Sequence, residues 1–346
     1  MGWLRALAAA GGSLLLSGCL GVHYALQAGA GQFDLWAQAR PIDRVIDFDR
    51  APPRVRLLLA EVAGMKRFGE AHGLRATSSY QSYVQLDRQS VVYAVSACPE
   101  LSLQAQVWRF PIVGSVPYLG WFSQRAAKEF AAGLRAEGLD VDVRGVAAYS
   151  TLGWFDDPVL SSMIGAGPDA LGSLADTVLH ESVHATVYVP GQAHFNEGLA
   201  SFAGRRLAAR YLEEKLGAGA PELRAFTARQ PGGGKAERLH QAALQLEALY
   251  RDAALADDDK RARKQAILAA LQAELKAARP LNNAVLAQHL TYRAGSGSEG
   301  FVRVLEACGG DWACFFRRLA TLDPGDFSGP QQTDLDPLLA KLGRAG

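Results

Sequence analysis

The sequence predicts a mostly helical α+β fold: a small sheet in the first half, then a helix pair, then a helical C-terminal part. Three observations lead there. Short β-branched runs cluster between residues 89 and 146, long Ala/Leu-rich stretches at helical spacing fill residues 171 to 292, and no linker long enough to separate independent units interrupts the chain. The 346 residues are 49% hydrophobic and 21% charged, which suits a folded chain rather than a disordered one. With 36 basic against 35 acidic residues the net charge is +1, which excludes a nucleic-acid binder driven by bulk charge. Four cysteines are too few for a disulfide scaffold.

The elements follow in order. Residues 1–18 carry one charge, Arg5, and an apolar run through Leu14-Leu15-Leu16 that is too short to span a bilayer, so they read as a secretory signal. Residues 19–50 form an N-terminal segment with a helix that Pro41 closes. A second helix covers 52–72, with Val55, Leu58, Leu59, Val62 and Met65 on one face. Residues 89–97 (QSVVYAVSA) form a strand, 107–114 a strand or extended loop, and 141–146 another strand. Between them a helix starts at Ser123 and stops at Gly138. A helix over 171–188 buries Leu174, Val178, Val183 and Val187, Pro190-Gly191 ends it, and a further helix begins near Asn196. Three more helices fall near 205–216, 236–256 and 259–278, the last favoured at its start by Asp257-Asp258-Asp259, and Pro280 precedes another from Leu281 to Tyr292. The organisation is thus a signal segment (1–18), an anchor segment with a helix (19–50), an α+β region holding the chemistry (51–204) and a helical C-terminal region (205–346).

The chemistry sits in His180-Glu181-Ser182-Val183-His184. On a helix the two imidazoles lie one turn apart on one face, within reach of a single ion, and Glu181 lies between them, placed to act as a general base on water. Asn196-Glu197-Gly198-Leu199-Ala200 follows, with twelve residues between His184 and Glu197. The turn at Pro190-Gly191 lets a second helix return Glu197 to the same ion. Two histidines and one glutamate leave a fourth position open, the pattern of catalytic rather than structural zinc, so one Zn(II) is expected on His180, His184 and Glu197. The fold expectation is therefore a helix pair carrying HExxH and NExxA. A second donor for a developing oxyanion is sought among Tyr149, Tyr292 and Tyr118, and Tyr149 is favoured because it ends a strand just before the metal helix. His194 is read as a support for the metal site, a substrate contact or an exposed loop residue. Asp156 and Asp157 are weighed as a site for a free amino group and as turn formers before Pro158, the turn reading being preferred. Asn282 and Asn283 either line the cleft or cap a helix. Residues 205–279 form a wall over the site or a solvated bundle. Cys308 and Cys314 flank a Gly-Gly-Asp turn that a small bridge would close, which leaves Cys98 as a buried thiol.

HExxH followed by NExxA resembles the glutamate-zincin class of metallopeptidases. The stretch Ala148–Pro158 (AYSTLGWFDDP), Phe195-Asn196-Glu197, Phe110–Gly114, Leu281–Ala284, Gln27-Ala28 and Gly31-Gln32 is similar to the bacterial putative aminopeptidase lipoprotein family, over roughly residues 15 to 305. The resemblance implies a zinc peptidase acting on peptide substrates, of aminopeptidase type. An endopeptidase and a non-catalytic metal-bearing scaffold remain the alternatives. Many glutamate-zincins carry an Asp four residues after the ligand glutamate, but Ser201 stands there in this chain, so another group must hold a zinc histidine. Leu16-Ser17-Gly18-Cys19 resembles a bacterial lipobox, with an ordinary secretory signal as the alternative. It implies lipidation of Cys19, and Leu20 after it points to the outer membrane, facing the periplasm.

Overall fold

A computed structural model describes residues 21, 23–47, 51–110, 114–148, 151, 156–229, 233–296 and 299–344. Helix α1 (23–38) lies along the open edge of a small sheet. Gln27 Nε2 donates to the Gly120 carbonyl at 3.0 Å, Phe122 N–H donates to Gln27 Oε1 at 3.2 Å, and Gly120 N–H donates to the Tyr24 hydroxyl at 3.2 Å. Gly31 permits this approach, because a Cβ there would meet the Phe122 ring. Strand β1 (Arg40–Pro41), α2 (Ile42–Asp47) and α3 (Pro53–Ala71) follow, and Pro53 suits the first turn of α3, where no N–H partner is needed.

Among the described residues, three small sheets make the β part. In one, β2 (Ser82–Val84) pairs antiparallel with β1 and parallel with β8 (Val159–Leu160). In the second, β3 (Val92–Cys98) lies between β6 (Leu119–Trp121) and β7 (Asp140–Val146), antiparallel to both, with Val95 opposite Leu119 and Val143. The third is a hairpin of β4 (Trp108–Phe110) and β5 (Gly114–Val116). Helix α4 (Gln124–Ala136) joins β6 to β7. The Ser123 hydroxyl accepts from Ala126 N–H at its start, and Gly138 leaves it at φ +83°. Ala127, Ala131 and Leu134 of α4 pack on Val95, Leu119, Trp121 and Val141.

The main core surrounds α5 (Ala170–Thr186) and α6 (Ala193–Leu216), packed against α3. Leu174, Val178, Val183 and Val187 are all buried, as the spacing predicts. The helix expected near 205–216 is instead the second half of α6. No breaker follows Glu197, and Gly198 and Gly204 are tolerated because they lie buried in the packing of this helix. Helix α7 (Pro221–Ala228) is an addition to the expected elements. Helices α8 (Gly233–Arg251), α9 (Asp257–Leu275) and α10 (Asn283–Ser296) share a satellite core of Leu239, Leu246, Leu268, Leu271 and Leu286, and α10 also packs on α6, β3 and β7. Lys264 fastens this bundle to the sheet: its buried ammonium sits 2.7 Å from Asp140 and donates to the Glu100 carbonyl at 2.9 Å. Helices α11 (Glu299–Ala307), α12 (Trp312–Leu319) and α13 (Asp336–Arg344) complete the chain. Cys308 and Cys314 form a disulfide across the α11–α12 turn, and Cys98 is a buried free thiol. Among the described residues no helix is long and apolar enough to cross a membrane.

Candidate metal centre

The centre is built by α5 and α6 crossing at close range. Gly204 makes this possible, since a Cβ there would lie 3.0 Å from both Cα and N of His180. The reversal between the helices turns at Gly191, at φ +77°, and is clamped by Asn196. Val189 N–H donates to Asn196 Oδ1 at 2.9 Å, and Asn196 Nδ2 donates back to the Val189 carbonyl at 2.8 Å. The residue next to Asn196, Glu197, then faces the histidine pair.

His180 and His184 lie one turn apart on α5, ring centroids 5.0 Å from each other and planes at 82°. Glu197 Oε2 is 3.6 Å from His180 Nε2 and 3.9 Å from His184 Nε2, and one ligand atom from each of the three residues lies within 4.8 Å of the others. Donors about 2.0–2.2 Å from a tetrahedral zinc stand about 3.4 Å apart, so the separations fit one ion with small adjustment. The donor set of two imidazoles and a carboxylate is also right for zinc. His184 is only 5% exposed, and its Nδ1 is buried without a hydrogen-bond partner. The Tyr118 hydroxyl donates to Glu197 Oε1 at 3.3 Å, leaving Oε2 turned to the imidazoles.

The electrostatics divide the two histidines. Burial pushes His184 down to about 4, against which the Glu197 charge works. Burial also disfavours the charged form of His180, but the Glu197 carboxylate beside it, with the charges of Glu181 and Asp176, outweighs burial and raises it to about 9. Burial raises Glu197, and the two histidines outweigh it, so its carboxyl ends below the usual range.

The family model described as Putative aminopeptidase matches residues 23–329. The chain belongs to that family. No curated protein and no solved structure matches it. In this member of the Putative aminopeptidase family the predicted ligands His180, His184 and Glu197 come together. Glu181 follows His180 on α5, and its charge helps to raise both His180 and Tyr80. Of the three tyrosines considered, Tyr118 reaches the site; Tyr149 and the side chain of Tyr292 lie outside the described residues, as does Cys19. His194 is not an exposed loop residue: it stands in the first turn of α6 with a buried, unpartnered Nδ1, and burial pushes it down to about 4. It lines a cleft of about 660 Å³ with Arg109, Tyr250 and Gln331, and α8 forms a wall of that cleft through Tyr250 and Arg251. Asp157 stands in an irregular segment just before β8. It is buried, accepts from Thr151 N–H at 2.8 Å, and its carbonyl accepts from Tyr80 N–H at 2.6 Å. Asn282 caps α10 by accepting from Val285 N–H, while Asn283 is fully buried and donates to three carbonyls of the segment 99–102.

Three site residues escape the sequence reading. Tyr80 is buried at φ +65°, its hydroxyl pushed well above the usual range by burial and by Glu181. Tyr188 is pushed to about 12 by burial and by Glu197. Asp176, one turn before His180 on α5, adds to the negative charge that His180 feels from Glu197 and Glu181, where Ser201 supplies none. Asp176 and Tyr188 had a signal available, standing four residues before His180 and four after His184. Tyr80, a hundred residues upstream of His180, had none.

Proposed function

We propose that the chain is a zinc-dependent peptidase of aminopeptidase type, held on the bacterial envelope by a lipidated Cys19 at the outer membrane and facing the periplasm. The observation that carries the reading is the convergence of His180, His184 and Glu197 within 4.8 Å, with Glu181 on the same helix. His180, His184 and Glu197 would hold the ion. Bound there, zinc supplies the positive charge that polarises a peptide carbonyl and acidifies a water molecule. Glu181 takes the proton of the attacking water and returns it to the departing amine. Tyr118 fixes one oxygen of Glu197 and so keeps the other turned to the imidazoles. Tyr149 is the proposed donor to the developing oxyanion.

The decisive protein is Glu181→Gln. It should keep stoichiometric zinc and lose peptide hydrolysis, while His184→Ala should lose the metal. A Glu181→Gln protein that cleaves peptides at the wild-type rate would overturn the mechanism. Comparing free-amine with N-blocked peptides then tests the exopeptidase assignment, which fails if only blocked peptides are cut.

A further inference from the structure

Helix α1 is inside out. An exposed helix ordinarily buries an apolar stripe and turns charge to water. The protein-facing side of α1 instead carries Tyr24, Gln27 and Gln32 beside Leu35, and Gln27 is spent on bonds to β6. The outward side carries Leu26 at 69% exposure, Phe33 at 69% and Trp36 at 40%, with Gly29, Ala30 and Ala37 exposed between them. Positions 26, 30, 33 and 37 follow one face at helical spacing. Over residues 23–38 the formally charged side chains reduce to Asp34. Water is a poor solvent for such a face.

We propose that this face docks on the membrane, with α1 lying in the head-group layer and Leu26 and Phe33 reaching the acyl chains. Three arguments select a lipid surface. Residues 6–16 are a charge-free, mostly apolar run, and Cys19 stands four residues before His23. Four residues span at most about 14 Å, so whatever membrane holds the N-terminus lies against the start of α1. The composition also suits an interfacial helix, with Leu and Phe on one side and a Trp near its end. A second copy of the chain is a poor occupant, because a stable protein interface engages roughly 20–30 residues a side, and this stripe offers a handful. The docking rests on the envelope reading of the N-terminus and is independent of the peptidase reading. It has a consequence for the site. Helix α1 grips Gly120, two residues beyond Tyr118, which in turn holds Glu197, so a docked α1 fixes the height of the metal centre above the bilayer.

The test uses the full chain in vesicles of phosphatidylethanolamine and phosphatidylglycerol. With Cys19 lipidated, Cys98 buried and Cys308 bridged to Cys314, Ala30→Cys offers an accessible thiol for a polarity-sensitive fluorophore, and Gln245→Cys, exposed on α8, is the control. With brominated acyl chains the label at 30 should lose most of its fluorescence and shift to the blue, while the label at 245 keeps its own. Adding Leu26→Glu and Phe33→Glu should return the label at 30 to the control level, with the protein still floating on its anchor and melting at an unchanged temperature. A label at 30 that stays unquenched overturns the proposal. So does sedimentation as a dimer that Leu26→Glu and Phe33→Glu abolish while position 30 remains unquenched. Mass analysis of Cys19 separates the anchor from the docking: an unlipidated Cys19 refutes the anchor, and the label at 30, placed then in a Cys19→Ser chain and still quenched, retains the docking.

Discussion

Gly204→Ala tests whether helix contact sets the metal centre. The added Cβ would lie 3.0 Å from His180 Cα, 3.0 Å from its N and 3.1 Å from its Cβ. Carbon atoms in comfortable contact stand about 3.5–4.0 Å apart, so the helices must separate by about half an ångström. The obstacle is mostly backbone, which cannot rotate away. Overpacking of this kind costs roughly 1–3 kcal/mol, and replacing Gly by Ala inside a helix returns about 0.5–1 kcal/mol. The net loss is then about 0.5–2 kcal/mol, a drop of a few degrees in melting temperature at about 2–4 °C per kcal/mol. The larger effect falls on the metal. Gly204 is seven residues, two turns, beyond Glu197, so the separation widens the 3.6 Å gap between Glu197 and His180. Displacing a ligand without removing it should weaken zinc by about tenfold, the lower end of what lost support around a metal site costs. Competition with a chromogenic chelator measures the affinity, and thermal melting in EDTA measures the metal-free stability. A Gly204→Ala protein that melts higher and binds zinc as tightly as wild type would show that the α5–α6 contact does not set the site.

The other predictions concern residues around that contact. Tyr118→Phe removes the hydrogen bond to Glu197 Oε1, worth about 1 kcal/mol, and should weaken zinc about fivefold by the same competition assay with little change in melting temperature. His194 is pushed down to about 4 by burial, against about 6.5 when unfolded, so between those values the unfolded chain binds the extra proton. Its contribution to stability is complete above pH 6.5 and is lost as pH falls toward 4, by about 1–2 kcal/mol at pH 5, and His194→Gln should flatten that part of a urea-melt pH series. Lys264→Met leaves Asp140 without its cation beneath the α8–α10 bundle and should cost about 3 kcal/mol in denaturant unfolding; a value near zero would mean the ion pair contributes nothing net.

Local periodicity carried most of the fold. The boundaries expected for α3, α4 and α5 agree with those observed to within about two residues, because each has a stop or start written in its own sequence: Pro53, Ser123, Gly138, Pro190-Gly191. Reading failed where the deciding contact is distant. Nothing local ends α6 before Leu216, so an expected break between Asn196 and residue 205 had no physical basis, and the helix runs on. Composition does not say which way the glutamines of α1 face: Gln27 faces inward because β6 has an open edge whose polar groups need partners.

The same division runs through the metal centre. His180 and His184 are tied by helix geometry, so their convergence follows from spacing alone, and Glu197 needs only the turn that Pro190-Gly191 allows. The surrounding groups are not constrained in that way. Tyr118 is 79 residues from Glu197 in the chain and reaches it only because the residues just after it, Leu119–Trp121, pair with β3. The Asp expected four residues after Glu197 would have acted on a zinc histidine from α6. Here His180 feels Glu197 most, then Glu181 and Asp176 on α5 itself, and position 201 is left to serine. A carboxylate on the ligand's own helix keeps its spacing to His180 even if α5 and α6 slide against each other, whereas one on α6 would move with Glu197. Support for the ligands is thereby divided: Glu181 and Asp176 on α5 add to the charge that Glu197 brings from α6, and the close approach at Gly204 fixes the distance to Glu197.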